Sequence, residues 1–163
     1  MVAASAPFRR ILIANRGEIA IRVMRAANEL GIGTVAVYSQ EDRFSLHRTK
    51  ADEAYLVGEG QGALQAYLDI DEIVATAVRA GADAIHPGYG FLAESPEFAE
   101  ACAGAGIVFI GPSPATMRTL GNKITARNLA VATGVPVMPA SPPLPADLPA
   151  CARLAAAVGY PVM

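Results

Sequence analysis

Nine residues between two apolar stretches, "HPGYGFLAE" from His86 to Glu94, carry an imidazole, two glycines, two aromatic rings and a carboxylate. Surface turns rarely hold that density of chemistry. Gly88 and Gly90 permit positive φ and let a ligand approach the backbone closely. Tyr89 and Phe91 offer flat apolar surface, and His86 can donate, accept or titrate near neutral pH. Glu94 stands just before a predicted helix, within reach of a pocket mouth. These residue types suit a flat, partly polar ligand. The plainer alternative is a packed corner, with His86 satisfied by a backbone carbonyl.

A second candidate is "ANRGEIA", in which Asn15, Arg16, Gly17 and Glu18 follow an apolar run. Strand, tight turn and helix in that order resemble the phosphate turn of dinucleotide binders. That turn needs G-x-G-x-x-G, and only Gly17 is present. Glu18 in the first helical turn favours the helix dipole but repels a phosphate there, so a nicotinamide cofactor is not expected. Two readings stay open: a helix start stabilised by Glu18, or Asn15 and Arg16 lining a site or an interface. A third candidate is Lys123 in "GNKITAR", one of two lysines in the chain. A lysine at a helix start after a glycine fits a phosphate, though surface lysines are common.

Other clusters carry less. "GEGQGA" (Gly58–Ala63) lacks the third glycine of one phosphate loop and the lysine of another, so a flexible loop is expected. The stretch around His47, Arg48 and Lys50, with Glu41, Asp42, Asp52 and Glu53, reads as a solvated face or lid. With two histidines in all, no metal site is expected. Cys102 and Cys151 form no C-x-x-C pair, and Cys102 falls on an apolar helix face as a small core residue.

The elements that must position these groups alternate. Strands are predicted at "RILIAN", "TVAVY", "AYLV", "DAIH" and "IVFIG". Between them, Ile19, Val23, Ala26, Ala27 and Leu30 share one helix face; Ile70, Ile73, Val74 and Ala77 share another. The second of these helices is capped by Asp69 or Asp71 and ends at Gly81. Ser95-Pro96 opens a helix whose Phe98, Ala101, Cys102 and Ala105 point inward. Strand-helix alternation implies an α/β fold, a parallel sheet with helices on both faces. Ligands of such sheets lie beyond the carboxyl ends of the strands, where "ANRGE" and "HPGYGFLAE" both sit. After Gly111 come two short helices, 114–120 and 124–133. "GVPVMPASPPLPADLP" comes next, with six prolines in sixteen residues, a stiff surface connection. One more helix and the start of a strand close the chain. An apolar edge barely begun is the expected mark of a longer polypeptide.

The 163 residues, 53% hydrophobic, can bury a sizeable core. A net charge of -2, from 13 basic and 15 acidic residues, gives no basic footprint for nucleic acid and no polybasic membrane patch. No apolar run reaches the ~18 residues of a membrane helix. "MVAASAPF" has no signal-peptide pattern, and the expected compartment is the cytoplasm.

"ILIANRGEIAIRVMRAANELGI", "DAIHPGYGFLAESPEFAEAC", "GIVFIGPSPATMRTLGNKITARNLA" and "GVPVMPA" together resemble the N-terminal part of biotin carboxylases, from about Arg9 onward. "LHRTKADEAYLVGEG…AYLDI" and "ATMRTLGNKITARNLA" resemble the pyruvate carboxylase branch more than the acyl-CoA carboxylases. The resemblance implies a Rossmann-like domain over 9–121, after a flexible tail at 1–8. It also implies the beginning of an ATP-grasp domain over 122–163. The enzymes of this family use ATP, Mg²⁺, bicarbonate and covalently attached biotin, on a biotin carrier domain, and a homo-oligomer is expected. By the same resemblance Lys123 contacts ATP phosphates. His86, Tyr89, Gly90, Phe91 and Glu94 form the nucleotide and biotin loop, with Tyr89 and Gly90 near the biotin ring and Glu94 on the phosphate side. Asn15 and Arg16 lie at the pocket base, and Arg25 and Glu29 lie on a helix that contributes to a subunit interface. The family's second lysine, glycine-rich lid, metal-binding glutamates and biotin-attachment lysine are not found in these 163 residues. The chain alone is therefore expected to be inactive.

Overall fold

The computed structural model describes residues 8–163. The tail expected at 1–8 lies outside them except for Phe8, which is half-buried against the sheet. Five strands form one parallel sheet: β1 (Arg10–Ile13), β2 (Gly33–Tyr38), β3 (Glu53–Leu56), β4 (Ala84–His86) and β5 (Val108–Phe109). Their spatial order is β3-β2-β1-β4-β5.

The period of two along each strand divides the core. Leu12, Val35, Val37 and Ile85 point to one face, Ile11, Ile13, Ala36 and Ala84 to the other. The first face is covered by α4 (Ile70–Arg79) through Ile73 and Ala77, and by α5 (Pro96–Gly104) through Phe98 and Cys102. The second is covered by α1 (Gly17–Glu29) through Ala20, Val23, Met24 and Ala27. Burial pushes the Cys102 thiol up to about 11, as befits a core residue. Asp69 supplies the cap of α4, its carboxylate accepting the Glu72 N–H at 3.0 Å. Ser95 caps α5 in the same way through the Phe98 N–H.

Several expectations shift. On α1 the buried stripe is turned toward Ala20 and Met24, leaving Ala26 and Leu30 exposed. Both α1 and α5 have apolar arcs wider than the strip the sheet can cover. On α5, accordingly, Ala99 is buried while Ala105, its C-cap, is exposed. The polar stretch folds into a short helix, α2 (Leu46–Lys50), and the glycine-rich loop holds another, α3 (Ala63–Ala66).

The chain divides into two compact units, one ending at Gly121 and one spanning Asn122–Met163. The first unit closes with α6 (Pro114–Leu120), tied to α5 by a fork of Arg118 on Glu100 at 2.6 and 2.8 Å. The second holds α7 (Lys123–Ala132), the proline-rich stretch without regular structure, and α8 (Leu148–Val158). No residue of this unit is fully buried. The strand expected after α8 does not form: Gly159 turns the backbone at φ 95°, Pro161 comes two residues later, and all five strands belong to the first unit. No described helix is long and apolar enough to cross a membrane.

Gly58 shows how tightly the first unit is closed. Its φ is +67°, and a Cβ there would run into Ala66. Gly31, at φ +71°, faces open space. Gly58→Ala is expected to cost about 3 kcal/mol or more and Gly31→Ala about 1 kcal/mol, read from urea unfolding.

Candidate functional site

The strand order reverses direction at β1, which has β2 on one side and β4 on the other. The chain leaves β1 and β4 toward opposite faces of the sheet, and this opens a crevice beyond their carboxyl ends. The last rung of the ladder is the Ala14 N–H on the His86 carbonyl at 2.9 Å. Beyond it, Asn15–Gly17 lead into α1 and Pro87–Glu94 lead toward α5.

Asn15, only 3% exposed, joins the two segments. Its amide Nδ2 donates to the Pro87 carbonyl at 2.7 Å and the Tyr89 carbonyl at 2.9 Å. Its Oδ1 accepts the Arg16 N–H at 2.9 Å. Gly88, at φ +67°, is obligatory: a Cβ would stand 2.8 Å from the Asn15 Nδ2. The Gly88 N–H donates to His86 Nδ1 at 3.0 Å, so the ring is neutral with its proton on Nε2, and burial lowers its pKa. Tyr89 is 60% exposed and its hydroxyl donates to Glu18 Oε1 at 2.7 Å. The carboxylate raises the phenol pKa. Glu18 thus serves both the helix terminus and the turn. Gly90 has φ +66° and Phe91, unusually for a residue with a Cβ, φ +43°.

Below the turn lies a polar cluster. Arg16 Nη1 donates to Asp42 Oδ2 at 3.1 Å, and its guanidinium lies over the rings of Tyr67 (5.7 Å) and Phe91 (6.0 Å). The Tyr67 hydroxyl donates to the same Asp42 oxygen at 2.8 Å, and Ser45 donates to the other at 2.7 Å. Burial works against the Asp42 carboxylate; bonds from Ser45, Tyr67 and Arg16 outweigh it and leave its pKa lowered. Burial likewise raises the Tyr67 phenol well above its ordinary range. His47 is not on a solvated face. It is 1% exposed, its Nε2 at 3.2 Å from the Val37 carbonyl and its Nδ1 at 3.4 Å from the Gly17 N. Burial lowers its pKa, outweighing the Val37 bond.

Asn15, Arg16, Tyr89, Gly90 and Phe91 line one open hollow of about 390 Å³, with Gly17 and Ile19. His86 is not among its walls; it faces a neighbouring apolar hollow of about 570 Å³ beneath Val23, Ala26 and Leu30, and Ile19 and Tyr89 border both hollows. Glu94 is exposed and lines neither. Lys123 belongs to the second unit, where it lines a hollow of about 600 Å³ with Arg127, Asn128 and Ser141. The Asn122 side chain caps α7 through the N–H groups of Ile124 (2.9 Å) and Thr125 (3.2 Å). Two of the helix-terminus donors are thus taken by the cap. Tyr67 and Asp42 escaped sequence reasoning as members of the site. Both sit far from "HPGYGFL" in sequence, and neither periodicity nor a motif links them to it. Among the described residues no group of three His, Cys, Asp or Glu side chains is placed to hold a metal ion.

Residues 7–117 match the family described as biotin carboxylase, N-terminal domain. The chain is 51% identical over 157 residues to the mitochondrial pyruvate carboxylase of Mus musculus, covering 96% of this chain and 13% of that protein. Its fold is similar to the pyruvate carboxylase of Rhizobium etli, with a TM-score of 0.84 and 59% identity over 96% of this chain and 14% of the other. It is also similar to the biotin carboxylase domain of Hydrogenobacter thermophilus 2-oxoglutarate carboxylase, described as a dimer with MgADP, ADP and bicarbonate. There the TM-score is 0.84 and the identity 45%, over 94% of this chain and 34% of that one. The chain therefore spans about an eighth of the length of the mouse pyruvate carboxylase it matches.

Two tests bear on this geometry. Asn15→Asp replaces two N–H donors by a carboxylate facing two carbonyls, and is expected to cost about 3 kcal/mol or more in urea unfolding at neutral pH. His47 and His86 have lowered pKa values in the folded state, so the unfolded chain takes up protons first as pH falls. Their stabilisation is complete above about pH 6.5 and is lost as pH falls below it. The urea midpoint is expected to drop between about pH 7.5 and 5.5, and less steeply in His47→Gln.

Proposed function

The chain belongs to the biotin carboxylase N-terminal domain family, and we propose that it forms the floor of the biotin carboxylase site of a pyruvate carboxylase. On this reading residues 9–121 are the Rossmann-like domain and 122–163 the beginning of the ATP-grasp domain. The whole enzyme uses ATP and bicarbonate to carboxylate biotin, and passes the carboxyl group to pyruvate to give oxaloacetate. The observation that carries the reading is the turn after β4, held by Asn15 at the reversal of strand order, in a chain this similar to pyruvate carboxylases.

Biotin supplies a ring nitrogen that takes up the carboxyl group. The turn suits such a ligand. Gly90 presents backbone without a Cβ, the exposed Tyr89 ring offers a flat wall, and Glu18 fixes that ring through its hydroxyl. Holding the ring plane in place converts a chance encounter into a positioned one. Lys123 supplies a positive charge for nucleotide phosphates and offsets repulsion between their oxygens as the phosphoryl group moves. Asn122 already takes two of the N–H groups at the start of α7, so the Lys123 side chain carries most of that contribution. Among the described residues no group of three His, Cys, Asp or Glu side chains is placed to hold Mg²⁺.

Two measurements test the reading. The 163-residue chain by itself is expected to release no phosphate from ATP in a bicarbonate-dependent manner above background. In the complete carboxylase that carries it, Lys123→Ala is expected to lower bicarbonate-dependent ATP cleavage about a hundredfold, with a thermal midpoint near that of the unaltered enzyme. Robust turnover by the chain alone, or normal ATP use by the variant, would overturn the assignment.

A further inference from the structure

The two halves of the turn after β4 are held by different means. Asn15 fixes the first half through the carbonyls of Pro87 and Tyr89. The second half, Gly90 and Phe91, is the more demanding. Phe91 sits at φ +43°, a region that costs a residue with a Cβ about 1–3 kcal/mol and persists only where surrounding contacts impose it. Two contacts impose it here. The Phe91 ring stacks on Tyr67 at 5.3 Å with 20° between the planes. Arg16 covers both rings.

Tyr67 is itself held from two sides. It is fully buried, accepts the Ser39 N–H at 3.2 Å and donates to Asp42 Oδ2 at 2.8 Å. The same Asp42 oxygen accepts Arg16 Nη1, so one carboxylate sets the positions of the ring below Phe91 and the guanidinium beside it. Ser45 holds the second carboxylate oxygen and fixes the rotation of the group. Neither Tyr67 nor Asp42 is among the residues lining the hollow under the turn.

We propose that Asp42 and Tyr67 are positioning residues for the biotin step: through Arg16 and Phe91 they set the backbone of the Gly90–Phe91 segment against which biotin lies. The inference rests on the reading of this turn as the biotin floor. It assigns to the loop after β2 and to the segment around α3 a role in affinity for biotin, and none in affinity for ATP.

The test uses the complete carboxylase with free biotin as the varied substrate. Asp42→Asn keeps size and shape but removes the charge. Tyr67→Phe keeps the stack and removes the hydroxyl. Both are expected to raise KM for free biotin about tenfold, with KM for ATP within about twofold of the unaltered enzyme. Deuterium exchange at the amides of residues 86–95 is expected to rise in both variants, while exchange in β1 and β2 stays unchanged. Gly90→Ala, in the turn itself, separates the cluster's role from that of the turn. If it raises KM for biotin while Asp42→Asn and Tyr67→Phe do not, the cluster is only a structural staple and the inference fails alone. If Gly90→Ala also leaves KM for biotin unchanged, the biotin reading of the turn fails and takes the inference with it. A parallel rise in both KM values with general loosening of the sheet would equally overturn a positioning role.

Discussion

A single carboxamide joins the two strand ends on which everything else depends. At the reversal of strand order the chain must leave β1 and β4 in opposite directions, so no sheet ladder can hold the segments beyond them. Asn15 replaces the missing rungs, with two donors for two carbonyls of the other segment and an acceptor for the next N–H. An amide is the smallest side chain offering that set from one position. Aspartate lacks the donors, and leucine leaves buried carbonyls without partners. Gly88 is the counterpart of this demand, since any Cβ would occupy the space of the Asn15 amide.

The charges below the turn obey the same constraint. Burying a carboxylate is unfavourable unless its oxygens are bonded. Asp42 meets that condition with an arginine and two hydroxyls, which is why its pKa falls despite burial. Such a cluster adds little net stability compared with an apolar one, but it admits few alternative geometries. That is the property a turn with a left-handed Phe91 needs.

The five strands of the sheet were legible in the sequence because they arise from local pattern: short apolar runs, glycine at helix ends, and caps such as Asp69 and Ser95. Their order, and with it the reversal at β1, was not, because strand pairing is a tertiary contact. The orientation of each helix was less legible. The apolar arc of α1 is wider than the strip covered by the sheet, and composition does not say which edge remains open; Leu30, at 66% exposed, lies on the open one. Least legible were His47 and Tyr67. His47 sits in a run of charges that reads as solvated, yet the fold closes over it because Val37 and Gly17 bring backbone partners. Tyr67 meets Arg16 and Phe91 only through tertiary contacts, which no local period encodes. The candidate residues themselves divided in the same way. Tyr89, Gly90 and Phe91 share a hollow with Asn15 and Arg16, whereas His86 turns to the next one, which Tyr89 also borders, and Glu94 to solvent.

The two kinds of chemistry are also supported unequally. The proposed floor stands on a sheet with buried residues on both faces, so a change there acts through packing. Lys123 stands on a unit with no fully buried residue, beside a proline-rich stretch without regular structure. Segments with few buried contacts open at low free energy. A lysine on such a segment adds charge without holding a fold together, so under the proposed reading its loss separates phosphate chemistry from stability. Asn15, Gly88 and Phe91 do not allow that separation, because each holds the backbone of the turn in place.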